Sequence, residues 1–156
     1  MFEKISWLFK NNKEFRPGIF LVVYKTDKTK KPEYLVLKRK LHWKGWEFTK
    51  GGKEKNESDL EAVKRELKEE SGLKMISIQS YKKKGRYIYD KKTRNGRGKV
   101  GQTFKLYSVR VKPGKVKISK LEHSGYKWAD FKTAMKMLTW KNQKECLGIV
   151  NKKIGK

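Results

Sequence analysis

Three glutamates in the stretch RELKEESGL, Glu66, Glu69 and Glu70, stand at i, i+3 and i+4. On a helix that spacing brings them to one face, where three like charges repel. A divalent cation would offset the repulsion, and an all-oxygen donor set suits hard Mg²⁺ or Mn²⁺ rather than zinc. The two histidines, His42 and His123, lack the spacing of a metal pair. An ordinary solvated helix face carries glutamates at the same intervals, so the trio alone leaves both readings open. Its setting is unusual, however. Residues 51 to 73 hold Glu54, Glu57, Asp59, Glu61, Glu66, Glu69 and Glu70, seven of the sixteen acidic residues in a chain of formal charge +26.

These side chains need a helix to hold them in phase. Ser58 followed by Glu61 fits a capping box at a helix start. Leu60, Val63 and Leu67 recur at helical spacing as the expected buried stripe, and Gly72 is placed to end the helix. The spacing therefore predicts a helix over 59–71. Before it, GIFLVVYK (18–25) and EYLVLKRK (33–40) read as strands joined in a hairpin through a polar turn. LHWKGWEFTKGG reads as a loop with a short extended piece. After the helix, 75–83 and 85–90 read as two strands, 91–99 as a basic turn or loop, and 100–111 as a long strand. YKWADFKTAMKML runs from a short strand into a helix, and NQKECLGIVNKKI reads as a final helix. Strands around a central helix, followed by terminal helices, predict a mixed-sheet α/β domain.

A chain of 156 residues suits one domain spanning 1–156, with a core of its own. The single cysteine, Cys146, excludes an internal disulfide framework and is expected as a half-buried thiol on the last helix. No apolar run reaches membrane-spanning length, and charges interrupt the apolar part of MFEKISWLFKNNKEF. These features point to a cytoplasmic protein with no membrane partner. Outside 51–73 the chain carries 37 basic and 9 acidic residues, by subtraction of 5 and 7 from 42 and 16. Such a field attracts nucleotides, polyphosphates or RNA. Lysine-rich surfaces also arise from genome composition or growth at high temperature, so the charge by itself selects no partner.

Gly51, Glu57, Arg65, Glu66, Leu67, Glu69, Glu70, Gly72 and Leu73 match G-x5-E-x7-R-E-U-x-E-E-x-G-U, where U is apolar. This pattern resembles the Nudix box, and the chain resembles the Nudix hydrolases. The resemblance implies an α/β/α sandwich with a catalytic loop–helix–loop, and hydrolysis of a nucleoside diphosphate linked to another group, using water and divalent metal. It implies that Glu66, Glu69, Glu70 and the Gly51 carbonyl hold metal. It also implies that Glu57 pairs with Arg65 to fix the loop against the helix.

Two further stretches narrow the resemblance. LEHSGYKW (121–128) is similar to the E-H-x-x-Y-x-W segment of asymmetrical diadenosine tetraphosphate hydrolases, which makes Glu122 a metal ligand or base. WEFTKGG (46–52) is similar to their W-x-F-P-K-G-H, which puts Lys50 on phosphate. Thr49 and Gly52 depart from the proline and histidine of that pattern, and a Gly-Gly pair is also seen in MutT-like nucleotide sanitisers and RNA pyrophosphohydrolases. Stacking on a base would need an aromatic face, for which Phe104, Tyr107, Tyr87 and Tyr126 are candidates and Trp128 is assigned to the core. Phe104 and Tyr107 have odd separation and so face opposite sides of a regular strand. The first expectation is cleavage of dinucleoside tetraphosphates to a nucleoside triphosphate and a monophosphate, by a monomer or dimer. The second is removal of pyrophosphate from RNA 5′ ends, with loop 91–99 guiding the RNA, or MutT-like sanitising. A third class is a non-catalytic nucleotide- or RNA-binding module, against which the intact set of carboxylates argues.

Overall fold

The fold was obtained as a computed structural model that describes residues 14–90 and 98–155. Most of the basic loop, 91–97, and the first thirteen residues lie outside the described part. Among the described residues, eight strands form one mixed sheet: β1 (Phe15–Arg16), β2 (Gly18–Thr26), β3 (Pro32–Arg39), β4 (Gly45–Glu47), β5 (Thr49–Gly52), β6 (Met75–Ile88), β7 (Gly101–Val111) and β8 (His123–Ala129). The described helices are α1 (Asp59–Ser71), α2 (Phe131–Met137) and α3 (Lys141–Ile154).

The sandwich follows from alternation along β2. Ile19, Leu21 and Val23 point to one face, where they meet Leu35, Leu37, Tyr107 and Val109 with Ala62, Val63 and Leu67 of α1. Phe20 and Val22 point to the other face, where they meet Phe48, Phe104 and Leu106 with Ala134 of α2 and Cys146, Leu147 and Val150 of α3. Period-two strands buried on both faces need a layer on each side, and the helices supply them. The parallel pair β2–β7 sits at the centre, while β3 and β5 pair antiparallel with opposite ends of β2. That last pairing sets Gly51 opposite Ile19 and Gly52 opposite Gly18, which fixes where the chain enters α1.

Helix α1 has the predicted bounds. The Ser58 hydroxyl accepts a hydrogen bond from the Glu61 amide at 3.1 Å, and Gly72 closes the helix at φ 67, in the left-handed region. Its buried stripe differs from the expectation. Ala62, Val63, Glu66, Leu67, Glu70 and Ser71 are covered, whereas Leu60 is 45% exposed. Leu60 lies in the first turn at the edge of the buried arc. Two carboxylates take the part of the stripe that apolar residues would otherwise fill.

Three other expectations change. The two strands predicted at 75–83 and 85–90 are one strand, β6, whose register with β7 shifts between Ser80 and Lys84. Cys146 is fully buried, not half-buried. Trp128 is partly buried at the edge of the α1-side core, with Lys25 Nζ 4.5 Å from its ring centre. The opposed facing of Phe104 and Tyr107 is observed.

Burial predicts a contrast on α1. Leu67→Ala should destabilise the protein by about 2–5 kcal/mol, and Leu60→Ala by no more than about 0.5 kcal/mol, measured as the shift in urea unfolding midpoint.

Candidate functional site

Three elements deliver the box residues. Strand β5 brings Gly51 and Gly52 under the start of α1, and the turn after it brings Glu57 across to Arg65. The Arg65 guanidinium donates from Nε to Glu57 Oε2 at 2.7 Å and from Nη2 to Glu57 Oε1 at 2.9 Å. Nη2 also reaches the Gly52 carbonyl at 2.8 Å, and Nη1 reaches Glu66 Oε1 at 2.8 Å and Glu69 Oε2 at 3.3 Å. These bonds hold the Glu57 carboxyl down at about 2. A Cβ at Gly51 would run into the Glu66 carboxylate and one at Gly52 would strike the Arg16 guanidinium, so a side chain at either position displaces a group of the site.

The three helix glutamates are not equivalent. Glu70 is buried, and its Oε2 has no hydrogen-bond partner among the described residues. Burial pushes its carboxyl well up, and the neighbouring Glu66, Glu47 and Glu122 add to the rise. Glu66 is nearly as buried and is pushed up to about 7, by desolvation against the opposing pull of Arg65. Glu69 lies outward, its side chain 57% exposed and drawn to Arg65.

Strand β8 and the residue before it supply the groups outside the box. The Glu122 carbonyl accepts from the Lys40 amide at 2.9 Å and the Leu41 amide at 3.3 Å, which ties the start of β8 to the end of β3. Its carboxylate lies 3.6 Å from Arg39 Nη1. A register shift between Lys38 and Arg39 sets His123, rather than Ser124, opposite Arg39. One ligand atom each of Glu70, Glu122 and His123 lies within 4.8 Å of the others.

Beneath this group lies a buried carboxylate, Glu47, with Oε2 3.1 Å from His123 Nε2 and 3.3 Å from Arg39 Nη1, and Oε1 3.6 Å from Lys50 Nζ. Burial opposes its charge, but the His123 hydrogen bond and the charges of Lys50 and Arg39 outweigh it and keep the carboxyl below its ordinary range. Lys50 in turn sits 4.9 Å from the centre of the Tyr87 ring. Burial works against the Lys50 ammonium, yet Tyr87 and Glu47 hold its pKa above the usual value.

The site opens into a cleft of about 610 Å³, which Glu47 and His123 adjoin without lining. Gly51, Glu66, Glu69, Glu70 and Glu122 line it with Arg16, Arg39 and Lys50, and its aromatic surfaces are Phe20, Tyr87, Tyr89, Trp43 and Trp140. Of the predicted base platforms, Tyr87 therefore faces the cleft and the others do not. Phe104 is stacked on Phe20 at 3.8 Å in the core, Tyr107 donates its hydroxyl to Asp59 at 2.6 Å on the α1 side, and Tyr126 stands on the surface at 44% exposure. Sequence spacing does not single out Arg39, Glu47 and His123 as site residues. Glu47 carries no local signal, since alternation turns an acid between Trp46 and Phe48 to the face away from both.

A family model described as the NUDIX domain matches residues 14–147. The chain belongs to the Nudix family. An RNA pyrophosphohydrolase of a Nitratiruptor species is 32% identical over 133 residues, covering 82% of this chain and 86% of that protein. Another protein of that name, from a Sulfurovum species, is 32% identical over 108 residues, covering 66% of this chain and 67% of its own length. Among solved structures, a C. elegans Ap4A hydrolase binary complex superposes with a TM-score of 0.73 at 22% identity, covering 90% of this chain and 98% of that one. The MutT protein of Methanosarcina mazei Go1 gives 0.69 at 18% identity, covering 91% and 96%. These two likenesses are of fold. This Nudix chain is a pyrophosphohydrolase, which sets aside the non-catalytic module. Among the described residues, no helix is long and apolar enough to cross a membrane.

The depressed Glu57 carboxyl makes the loop–helix lock sensitive to acid. Its stabilisation is complete above the ordinary carboxyl value of 4.5 and is lost as pH falls towards about 2. Glu57→Gln should therefore lower the unfolding temperature at pH 7, with the gap to the parent chain closing between pH 4.5 and 2.

Proposed function

We propose that this Nudix pyrophosphohydrolase removes pyrophosphate from the 5′-triphosphate end of RNA with the help of a divalent cation. The observation that carries the cation is the Glu70 carboxylate: a buried oxygen without a partner, close to Glu122 and facing a cleft. Such a group is costly unless something positive meets it. Hard oxygen donors fit Mg²⁺ or Mn²⁺. Glu66, Glu70 and Glu122 would hold the cation, with Glu69 and the Gly51 carbonyl at its margin. A cation there would neutralise phosphate charge and lower the pKa of a bound water.

The chain's own residues supply the rest. Lys50, anchored between Glu47 and Tyr87, presents an ammonium to the phosphates, and Arg16 lies over Gly52 on the same side. The cleft volume suits a nucleotide and its phosphates rather than a polymer, so RNA beyond its first nucleotides would lie on the basic surface. Two relatives bearing the RNA name and the charge of +26 support RNA over a free nucleotide.

The second reading is asymmetrical cleavage of dinucleoside tetraphosphates. It is favoured by the segment from Glu122 to Trp128, which resembles that of the asymmetrical hydrolases.

Hydrolysis of triphosphorylated RNA, diadenosine tetraphosphate and oxidised deoxynucleoside triphosphates with Mg²⁺ or Mn²⁺ separates these readings. The RNA should have the highest kcat/KM, and a clear preference for the dinucleotide would put the second reading in its place. Glu70→Gln should lower kcat by at least about 10²-fold with the circular dichroism spectrum unchanged. Near-normal turnover would remove Glu70 from the cation site.

A further inference from the structure

The imidazole of His123 has two different surroundings. Its Nε2 lies 3.1 Å from the Glu47 carboxylate. An ionised carboxylate only accepts, so Nε2 carries the hydrogen, and in the neutral ring the lone pair is on Nδ1. That Nδ1 is buried without a hydrogen-bond partner among the described residues. The residue is 1% exposed, so water is poorly placed to meet the need. The cluster that includes its ring nitrogen also holds the carboxylates of Glu70 and Glu122, one oxygen of which, Glu70 Oε2, is equally without a partner. Two buried lone-pair donors from different elements, α1 and β8, thus lack a common acceptor of electrons.

We propose that His123 Nδ1 is a nitrogen ligand to the divalent cation held with Glu70 and Glu122, and that Glu47 is the positioning residue that fixes its ring. This rests on the reading that the cluster binds a cation, and it changes which cation. A histidine whose far nitrogen is hydrogen-bonded to a carboxylate is the usual arrangement of a metal-binding imidazole, with tautomer and ring plane both set. Magnesium favours oxygen and water, while one imidazole beside two carboxylates shifts preference towards first-row transition ions. The site is thereby tuned to Mn²⁺, Fe²⁺ or Co²⁺ over Mg²⁺. The fold shows how this is arranged. Arg39 shares Glu47 Oε2 with His123, and the register shift at Arg39 sets His123 opposite it on β3. Lys50 engages the other oxygen, so the carboxylate is held in place from both ends.

The test is metal binding by the chelator-treated full chain, without RNA or nucleotide, so that failure of the substrate reading leaves it untouched. Mn²⁺ binding is followed by electron paramagnetic resonance and Mg²⁺ binding by competition. Pulsed spectra of Mn²⁺ on the unaltered protein should show coupling to a directly bound ¹⁴N nucleus, which needs no variant and hence no assumption about folding. In His123→Gln that coupling should vanish, and Mn²⁺ affinity should fall at least about tenfold while Mg²⁺ affinity stays nearly constant. Glu47→Gln should weaken Mn²⁺ by about 10–100-fold with the ¹⁴N signal altered. Circular dichroism of each variant checks the fold. The proposal is overturned if bound Mn²⁺ shows no nitrogen coupling, if Mn²⁺ does not bind the unaltered chain, or if a folded His123→Gln keeps the same preference between Mn²⁺ and Mg²⁺.

Discussion

The fork of Arg65 is the interaction on which the site depends. A guanidinium has five N–H donors in one plane. Here every one has an acceptor: two oxygens of Glu57, the Gly52 carbonyl, Glu66 and Glu69. A single side chain therefore clamps the end of β5, the following turn and the face of α1. Lysine could not replace it, because an ammonium offers three donors and no plane. The clamp also supplies the positive charge that lets Glu66 be buried beside Glu70.

Burial of charge is the cost that the surrounding sheet must offset. Glu47, Glu66, Glu70 and Glu122 repel one another in a region of low dielectric, and the two helix glutamates respond by holding protons more tightly. Glu47 responds in the opposite sense, because Arg39, Lys50 and His123 surround it. Carboxylates a few ångströms apart are thus split between a deep one that is already neutralised and upper ones that are not. The upper group faces the cleft with unmet electrostatic demand, and a phosphate chain with its cation supplies charge of both signs. Lys50 connects the levels, since it lines the cleft while anchored on the deep carboxylate.

The part of this arrangement legible in sequence is the part carried by one continuous segment. Spacing along a helix is fixed at 3.6 residues per turn, so Glu66, Glu69 and Glu70, with Arg65 and Gly72, can be phased from their numbers alone. Glu57 needs only a short loop and an available arginine. Glu47, Arg39 and His123 come from three strands whose meeting depends on sheet pairing and on a register shift, neither of which has a local signature. Leu60 shows the converse limit. Its periodicity is right, yet it stands 45% exposed, because coverage depends on tertiary packing and not on helical phase. Phe104 and Tyr107 fall on opposite faces as alternation requires, yet which face meets the cleft is decided by the α2 and α3 layer and by Phe20 stacking on Phe104.

The paired glycines of β5 carry a consequence for how such a chain can diversify. Gly51 packs against the Glu66 carboxylate and Gly52 against Arg16, while Gly18 across the strand abuts Gln102. That wall of the cleft is bare backbone, and any enlargement of it would displace Glu66 or Arg16. Side-chain variation is available instead at Trp43 and Trp140, which also line the cleft and meet edge to face at 5.1 Å. Descent with altered substrate preference would leave one stretch of the cleft frozen and rework another.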